Sequence, residues 1–168
     1  MNPSITIGID NGQSGSVAIL GAPDGPLFFP VPTQDYLHYG KRGTVGKRLL
    51  RSGLALTLRL AKTWGNAYVY IERPFSGKFI NAVLPAHRFY EATIIVFEDL
   101  ELGYEVVDSQ TWQKPVLGNV TGSANLKKAS MLRGIQYYPA LADVIRKHKD
   151  ADGLLIAHHF HSRRNQTQ

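Results

Sequence analysis

Ile5-Thr6-Ile7-Gly8-Ile9-Asp10-Asn11-Gly12, followed closely by Ser16-Val17-Ala18-Ile19-Leu20, is the stretch that decides the fold. A short apolar run rich in β-branched residues reads as a buried strand, Asn11-Gly12 as a hairpin-type turn, and Ser16 to Leu20 as a second strand returning beside the first. Leu27 to Val31, set among prolines, reads as a third strand at a sheet edge.

Working outward, Leu49, Leu50, Leu54, Leu58 and Ala61 recur at helical spacing, which predicts one amphipathic helix from about Thr44 to Trp64. Its other faces carry Lys47, Arg48, Arg51, Arg59 and Lys62, and it is interrupted at worst by Gly53. Ala67 to Glu72 reads as a strand that Pro74 ends. A helical period returns from Ala86 to Leu100 through Phe89, Tyr90, Ile94 and Phe97; Tyr104 to Val107 is a short strand. Helices are expected from Ala124 to Ile135 and from about Asp150 to His161, with Pro139 between them. Residues 33–46 and 73–85 read as loops. The order β-β-β-α-β-α-β-α-α predicts an α/β fold: a mixed sheet, antiparallel hairpin plus parallel strands, flanked by helices. Residues 1–161 are expected to form one domain and residues 162–168 a polar tail.

With 168 residues and 43% hydrophobic content, the chain is long enough for one sizeable core. It has no cysteine, which excludes disulfides and thiolate zinc sites and fits a reducing, intracellular setting. No signal-peptide pattern opens the chain, and no stretch approaches the roughly 20 apolar residues of a membrane span. A soluble cytoplasmic protein without a membrane partner is expected. The formal charge of +6 and pI near 9.6 favour polyanionic partners. Lys41, Arg42, Lys47, Arg48 and Arg51 crowd one region, and Arg146-Lys147-His148-Lys149 runs directly up to an acidic pair, Asp150 and Asp152.

Three acids sit at the edges of apolar runs: Asp10 closes the first strand, Glu72 closes Tyr68-Val69-Tyr70-Ile71, and Asp152 opens Gly153-Leu154-Leu155-Ile156-Ala157. Each alone has an ordinary explanation. Asp10 would shape its turn, Glu72 would pair with Arg73, and Asp152 would favour a helix N-terminus. Gathered in one cluster, however, the carboxylates would repel one another unless metal ions neutralised them, so the three together point to a divalent-metal site.

The chain resembles the RuvC-like Holliday junction resolvases of the ribonuclease H-like superfamily, in particular their phage-type and organellar members. The resemblance rests on Ile7-Gly8-Ile9-Asp10, Tyr70-Ile71-Glu72, Val107-Asp108-Ser109-Gln110-Thr111-Trp112-Gln113-Lys114, Lys127 to Pro139, and Ala151-Asp152-Gly153-Leu154-Leu155-Ile156-Ala157. It implies that Asp10, Glu72 and Asp152 are catalytic metal ligands for two Mg²⁺ ions, with Mn²⁺ as a substitute. Relatives place a further acid three residues before the last one, where this chain has Lys149. Asp150, entering from a non-helical start, or His148 would fill that role, and a carboxylate suits Mg²⁺ better than imidazole does.

Lys127 matches a lysine held near the scissile phosphate, with Lys128 as its neighbour. Phe75, Lys78 and Phe79 lie in the loop that approaches the junction in relatives. Trp112 reads as core. His158, His159 and His161 read as helix-end residues, with a zinc site as the alternative.

The implied activity is metal-dependent hydrolysis of phosphodiester bonds in four-way junction DNA, by two symmetric nicks from a homodimer. The apolar helix Ala86 to Leu100 is the expected interface. The alternatives are a ribonuclease H-like enzyme acting on another branched or hybrid nucleic acid, and a non-catalytic nucleic-acid-binding module.

Overall fold

The structure, a computed structural model, describes residues 4–37, 43, 45–74 and 80–166. Five strands form the main sheet: β1 (Ser4–Asp10), β2 (Ser16–Leu20), β3 (Leu27–Pro30), β6 (Asn66–Glu72) and β7 (Gly103–Val107), in the order β3-β2-β1-β6-β7. β2 runs antiparallel to β1 and β3, whereas β6 and β7 join in parallel. The mixed sheet expected from the sequence is present, with β3 at an edge.

Strand parity sorts the core into two layers. Ile5, Ile7, Ile9, Val17, Ile19, Val69 and Ile71 face one side, where α1 (Arg51–Trp64) and α2 (Ile80–Asp99) cover them with Leu54, Leu58, Phe89 and Phe97. Ala18, Leu20 and Tyr70 face the other side. There they meet Trp112 of α3 (Ser109–Leu117), Ile145 of α5 (Ala142–His148), and Leu154 to Ala157 and Phe160 of α6 (Asp152–Gln166). Partly buried side chains of α4 (Ser123–Tyr137) complete that layer. Gly8 lets α6 lie against β1, because a Cβ there would run into the backbone of Gly153 and Ala157.

Several expectations change. The basic helix begins at Arg51, not Thr44, and Lys47 and Arg48 lie instead on β5 (Val45–Leu49), which pairs antiparallel with β4 (Thr33–Leu37) as a separate two-stranded ribbon. The apolar period ran through Leu49 and Leu50 into the true helix and concealed the strand. β4 occupies much of what read as loop 33–46.

α2 starts before Pro85, which was expected to precede it. Near a helix N-terminus a proline forfeits only one backbone bond. Of the apolar residues expected to form a dimer face on α2, Phe89, Ile94, Val96 and Phe97 are buried in this chain's own core, leaving Tyr90 half-buried and Ile95 exposed. Finally, α6 starts at Asp152 and extends to Gln166, and Arg164 reaches back to the Ile5 carbonyl oxygen at 3.3 Å. Two elements that sequence did not indicate, α3 and α5, are short. Among the described residues no helix is long and apolar enough to cross a membrane.

Candidate active site

The same parity that builds the core aims the acids. Asp10 shares its strand face with Thr6 and Gly8, and Glu72 with Tyr68 and Tyr70, so both project from adjacent strands toward the α6 layer. α6 begins there. Asp152 is its first residue, and Asp150 sits in the short non-helical link from α5.

That link resolves the unusual acid spacing. Lys149 caps α5 in the left-handed region, with φ 78°, and its N–H donates to the Ile145 carbonyl oxygen at 2.8 Å. A non-glycine residue seldom adopts this conformation. Here it reverses the chain just before Asp150, so a carboxylate two residues ahead of Asp152 enters the cluster from outside the helix. Carboxylate oxygens of Asp10, Asp150 and Asp152 all lie within 4.8 Å of one another. Glu72 stands beside this trio and is close enough to feel repulsion from Asp152.

Three of the four acids have a polar neighbour. The Trp112 indole N–H donates to Glu72 Oε2 at 2.6 Å from a fully buried ring. Trp112 is core, as expected, and also a polar anchor that the sequence did not reveal. Buried Ser130 of α4 donates its hydroxyl to Asp152 Oδ1 and accepts the Ala151 N–H at 3.0 Å. Buried Ser16 accepts the Gly153 N–H at 3.1 Å, tying the start of α6 to β2. Asp150 is 3% exposed, with Lys127 Nζ at 3.8 Å and His148 Nε2 at 3.3 Å. Neither His148 Nε2 nor Asp150 Oδ1 has a hydrogen-bond partner among the described residues. Asp150 is thus the fourth acid at the cluster, and His148 stands against it rather than within the trio.

Crowding shows in the protonation equilibria. Desolvation, then repulsion from Asp152, Glu72 and Asp150, holds the Asp10 carboxyl well above its ordinary range. Desolvation pushes Glu72 up to about 7, against the lowering pull of the Trp112 hydrogen bond. Desolvation likewise raises Asp152 to about 6, opposed by Ser130 and Lys127. A cluster of acids that resists ionisation, with a buried carboxylate oxygen that accepts no hydrogen bond among the described residues, is the donor set a hard divalent cation satisfies. The residues fit such an ion.

Other predicted residues fall elsewhere. Arg73 pairs with Asp108 at 3.3 Å, not with Glu72. Lys128 is exposed next to Lys127, and Arg51 pairs with Asp99 at 3.1 Å. Phe75, Lys78 and Phe79, together with Lys41 and Arg42, lie outside the described residues. The α6 histidines diverge: His158 meets the Tyr138 hydroxyl at 2.8 Å, His161 the Thr6 hydroxyl at 2.9 Å, and His159 packs edge-on against Phe160. They do not form one ligand set.

No family model matches the chain, and no curated protein matches it. Among solved structures it is similar to T. thermophilus RuvC in complex with Holliday junction substrate, at 15% identity over 95% of both chains with a TM-score of 0.59. It is also similar to a second structure of Thermus thermophilus RuvC, at 13% identity over 96% of both chains with a TM-score of 0.53. The fold is therefore ribonuclease H-like: a mixed sheet opened by an antiparallel hairpin and flanked by helices. Within that class it is the fold of the RuvC-like resolvases, over nearly the whole chain.

Proposed function

We propose that this chain is a structure-selective endodeoxyribonuclease that resolves four-way DNA junctions by paired symmetric nicks. The observation that carries the reading is the convergence of Asp10, Asp150 and Asp152, with Glu72 beside them, in a fold shared with RuvC. Residues 1–161 act as one nuclease domain, working on DNA inside the cell.

Asp10, Glu72, Asp150 and Asp152 would hold two Mg²⁺ ions, with Mn²⁺ as a substitute. Bound there, divalent ions supply an acidified water and charge stabilisation at the phosphate oxygens. The chain's own groups set the geometry. Trp112 and Ser130 fix the carboxylates, and Lys127 offers a cation beside the cluster where phosphate charge accumulates. Water adds across the P–O3′ bond: its oxygen remains on the 5′ phosphate, and a proton ends on the 3′ hydroxyl. Lys47, Arg48, Arg51 and Lys128 contact phosphates of the arms, and Phe75, Lys78 and Phe79 meet the branch point.

Two symmetric cuts require two such clusters, which assigns the active form to a homodimer. Because α2 spends most of its apolar side chains inside the core, the exposed pair Leu56 and Leu60 on α1, one helical turn apart, is the better apolar contact. A panel of labelled substrates in Mg²⁺ tests the reading. It predicts nicking of a four-way junction and little cleavage of linear duplex, a simple flap or an RNA–DNA hybrid. Preferential cleavage of the hybrid or the flap would assign the site to a different ribonuclease H-like nuclease.

A further inference from the structure

A groove of about 1070 Å³ opens between the β4–β5 ribbon and helices α1 and α2, on the sheet face opposite the α6 layer. Its lining combines two chemistries. Cations stand on both walls, Arg48 on the ribbon and Arg59 and Arg88 on the helices, and the same walls contribute Tyr36, Leu84 and Ile95 to the lining. Of the two acids in the lining, Asp99 is paired with Arg51 at 3.1 Å, leaving Glu91 against the remaining cations.

A duplex presents phosphates and hides its base faces, so apolar and aromatic lining adds nothing to its binding. An unpaired strand presents both phosphates and faces, and grooves that bind one combine a cationic track with a stacking surface. The groove is also connected to the acids. Asn11, the residue after Asp10, donates to the Ala86 carbonyl oxygen at 3.1 Å, and Ala86 lies between Pro85 and His87, which line the groove. Its helix wall is thus fastened to the turn that follows the aspartate ending β1.

We propose that this groove binds an unpaired DNA strand and leads it toward the carboxylate cluster, so that branched DNA carrying a single-stranded segment at the branch is bound in preference to a fully paired junction. The inference rests on the nuclease reading for its consequence in cleavage, though not for the binding itself. A second copy of the chain is the poorer occupant, since two copies meeting here would oppose Arg48, Arg59 and Arg88 to one another.

The test uses the full chain in EDTA and measures fluorescence anisotropy with a short labelled single-stranded oligonucleotide and, separately, a blunt four-way junction. Arg88→Gln on the rigid helix and Tyr36→Ala on the ribbon are each expected to weaken oligonucleotide binding about 10-fold. Both should weaken blunt-junction binding much less, and Tyr36→Phe should keep the unmodified affinity because the ring is retained. Thermal melting confirms that each variant is folded. Unchanged oligonucleotide affinity in folded Arg88→Gln would overturn the proposal. Equal losses on both ligands, accompanied by a shift to monomer in sedimentation, would overturn it as well and give the groove to a second copy. Nicking of the blunt junction in Mg²⁺ is scored independently: its failure would remove the nuclease reading and leave the strand-binding result standing.

Discussion

The indole nitrogen of Trp112 lies 2.6 Å from Glu72 Oε2, joining the fully buried centre of the α3 layer to one of the four acids. Glu72 therefore has one oxygen oriented before any ion arrives. Trp112→Phe retains an aromatic ring and removes the donor. Cleavage is expected to fall by about 10-fold or more, with a higher Mg²⁺ requirement, as when an outer partner of a metal ligand is lost. A Mg²⁺ titration of the cleavage rate checks this. A rate lowered equally at every Mg²⁺ concentration would show that Trp112 acts only through packing.

Asp10, Glu72 and Asp152 all have folded-state values raised above the usual 4 or so of an unfolded chain. Groups raised in this way favour the fold most when the unfolded state is also protonated, below about pH 4, and the benefit is lost as pH rises through the folded values of about 6 for Asp152 and about 7 for Glu72. Metal-free protein is thus expected to melt at a lower temperature at pH 7.5 than at pH 5. Adding Mg²⁺ at pH 7.5 should raise the Tm, and Asp10→Asn should raise the metal-free Tm by removing one repelling charge. Calorimetry across this pH range in EDTA and in Mg²⁺ decides it; a flat profile would contradict the crowded cluster.

How much of this was legible follows from particular residues. The period of two in Ile5-Thr6-Ile7-Gly8-Ile9-Asp10 contained both the strand and the side on which Asp10 emerges, and the same parity placed Glu72. Asp152 was legible as the start of an apolar helix. The ribbon was hidden because its pairing joins Thr33–Leu37 to Val45–Leu49 across a gap in sequence, while the local signal near Leu49 was helical. Hydrogen bonds from Trp112 and Ser130 were hidden for the same reason: each links residues tens of positions apart, and no local pattern encodes the partner.

Ser130 holds two groups at once, so Ser130→Ala leaves the buried Ala151 N–H unpaired and Asp152 unsupported. A stability loss of about 1–3 kcal/mol is expected, together with slower cleavage. Chemical denaturation and the cleavage rate measure the two effects. Wild-type stability in the alanine variant would mean that the Ala151 N–H finds another partner.

Gly8 sets how closely α6 approaches β1, and hence how near Asp152 comes to Asp10. The backbone atoms facing an added methyl cannot turn aside as a side chain can. Gly8→Ala is expected to cost about 3 kcal/mol and to lower activity beyond what reduced folding explains. Denaturant melts and rates normalised to the folded fraction test the point.

At the cluster itself, Asp150→Asn should reduce cleavage more than His148→Ala, since Asp150 belongs to the trio and His148 stands outside it, against Asp150 and edge-on to Phe28. The reverse order in rates measured side by side would make the imidazole the ligand.

Asp10, Glu72, Asp150 and Asp152 are proposed to form one metal-dependent nuclease site acting on four-way junctions. The most direct measurement follows each strand of a synthetic four-way junction, end-labelled in turn, incubated with the unmodified protein in Mg²⁺ or EDTA beside Asp10→Asn, Glu72→Gln and Asp152→Asn. Paired nicks at symmetric positions are expected in Mg²⁺ only, with cleavage abolished and junction binding retained in all three variants. Equal cutting in EDTA, or full activity in Asp10→Asn, would contradict the proposal.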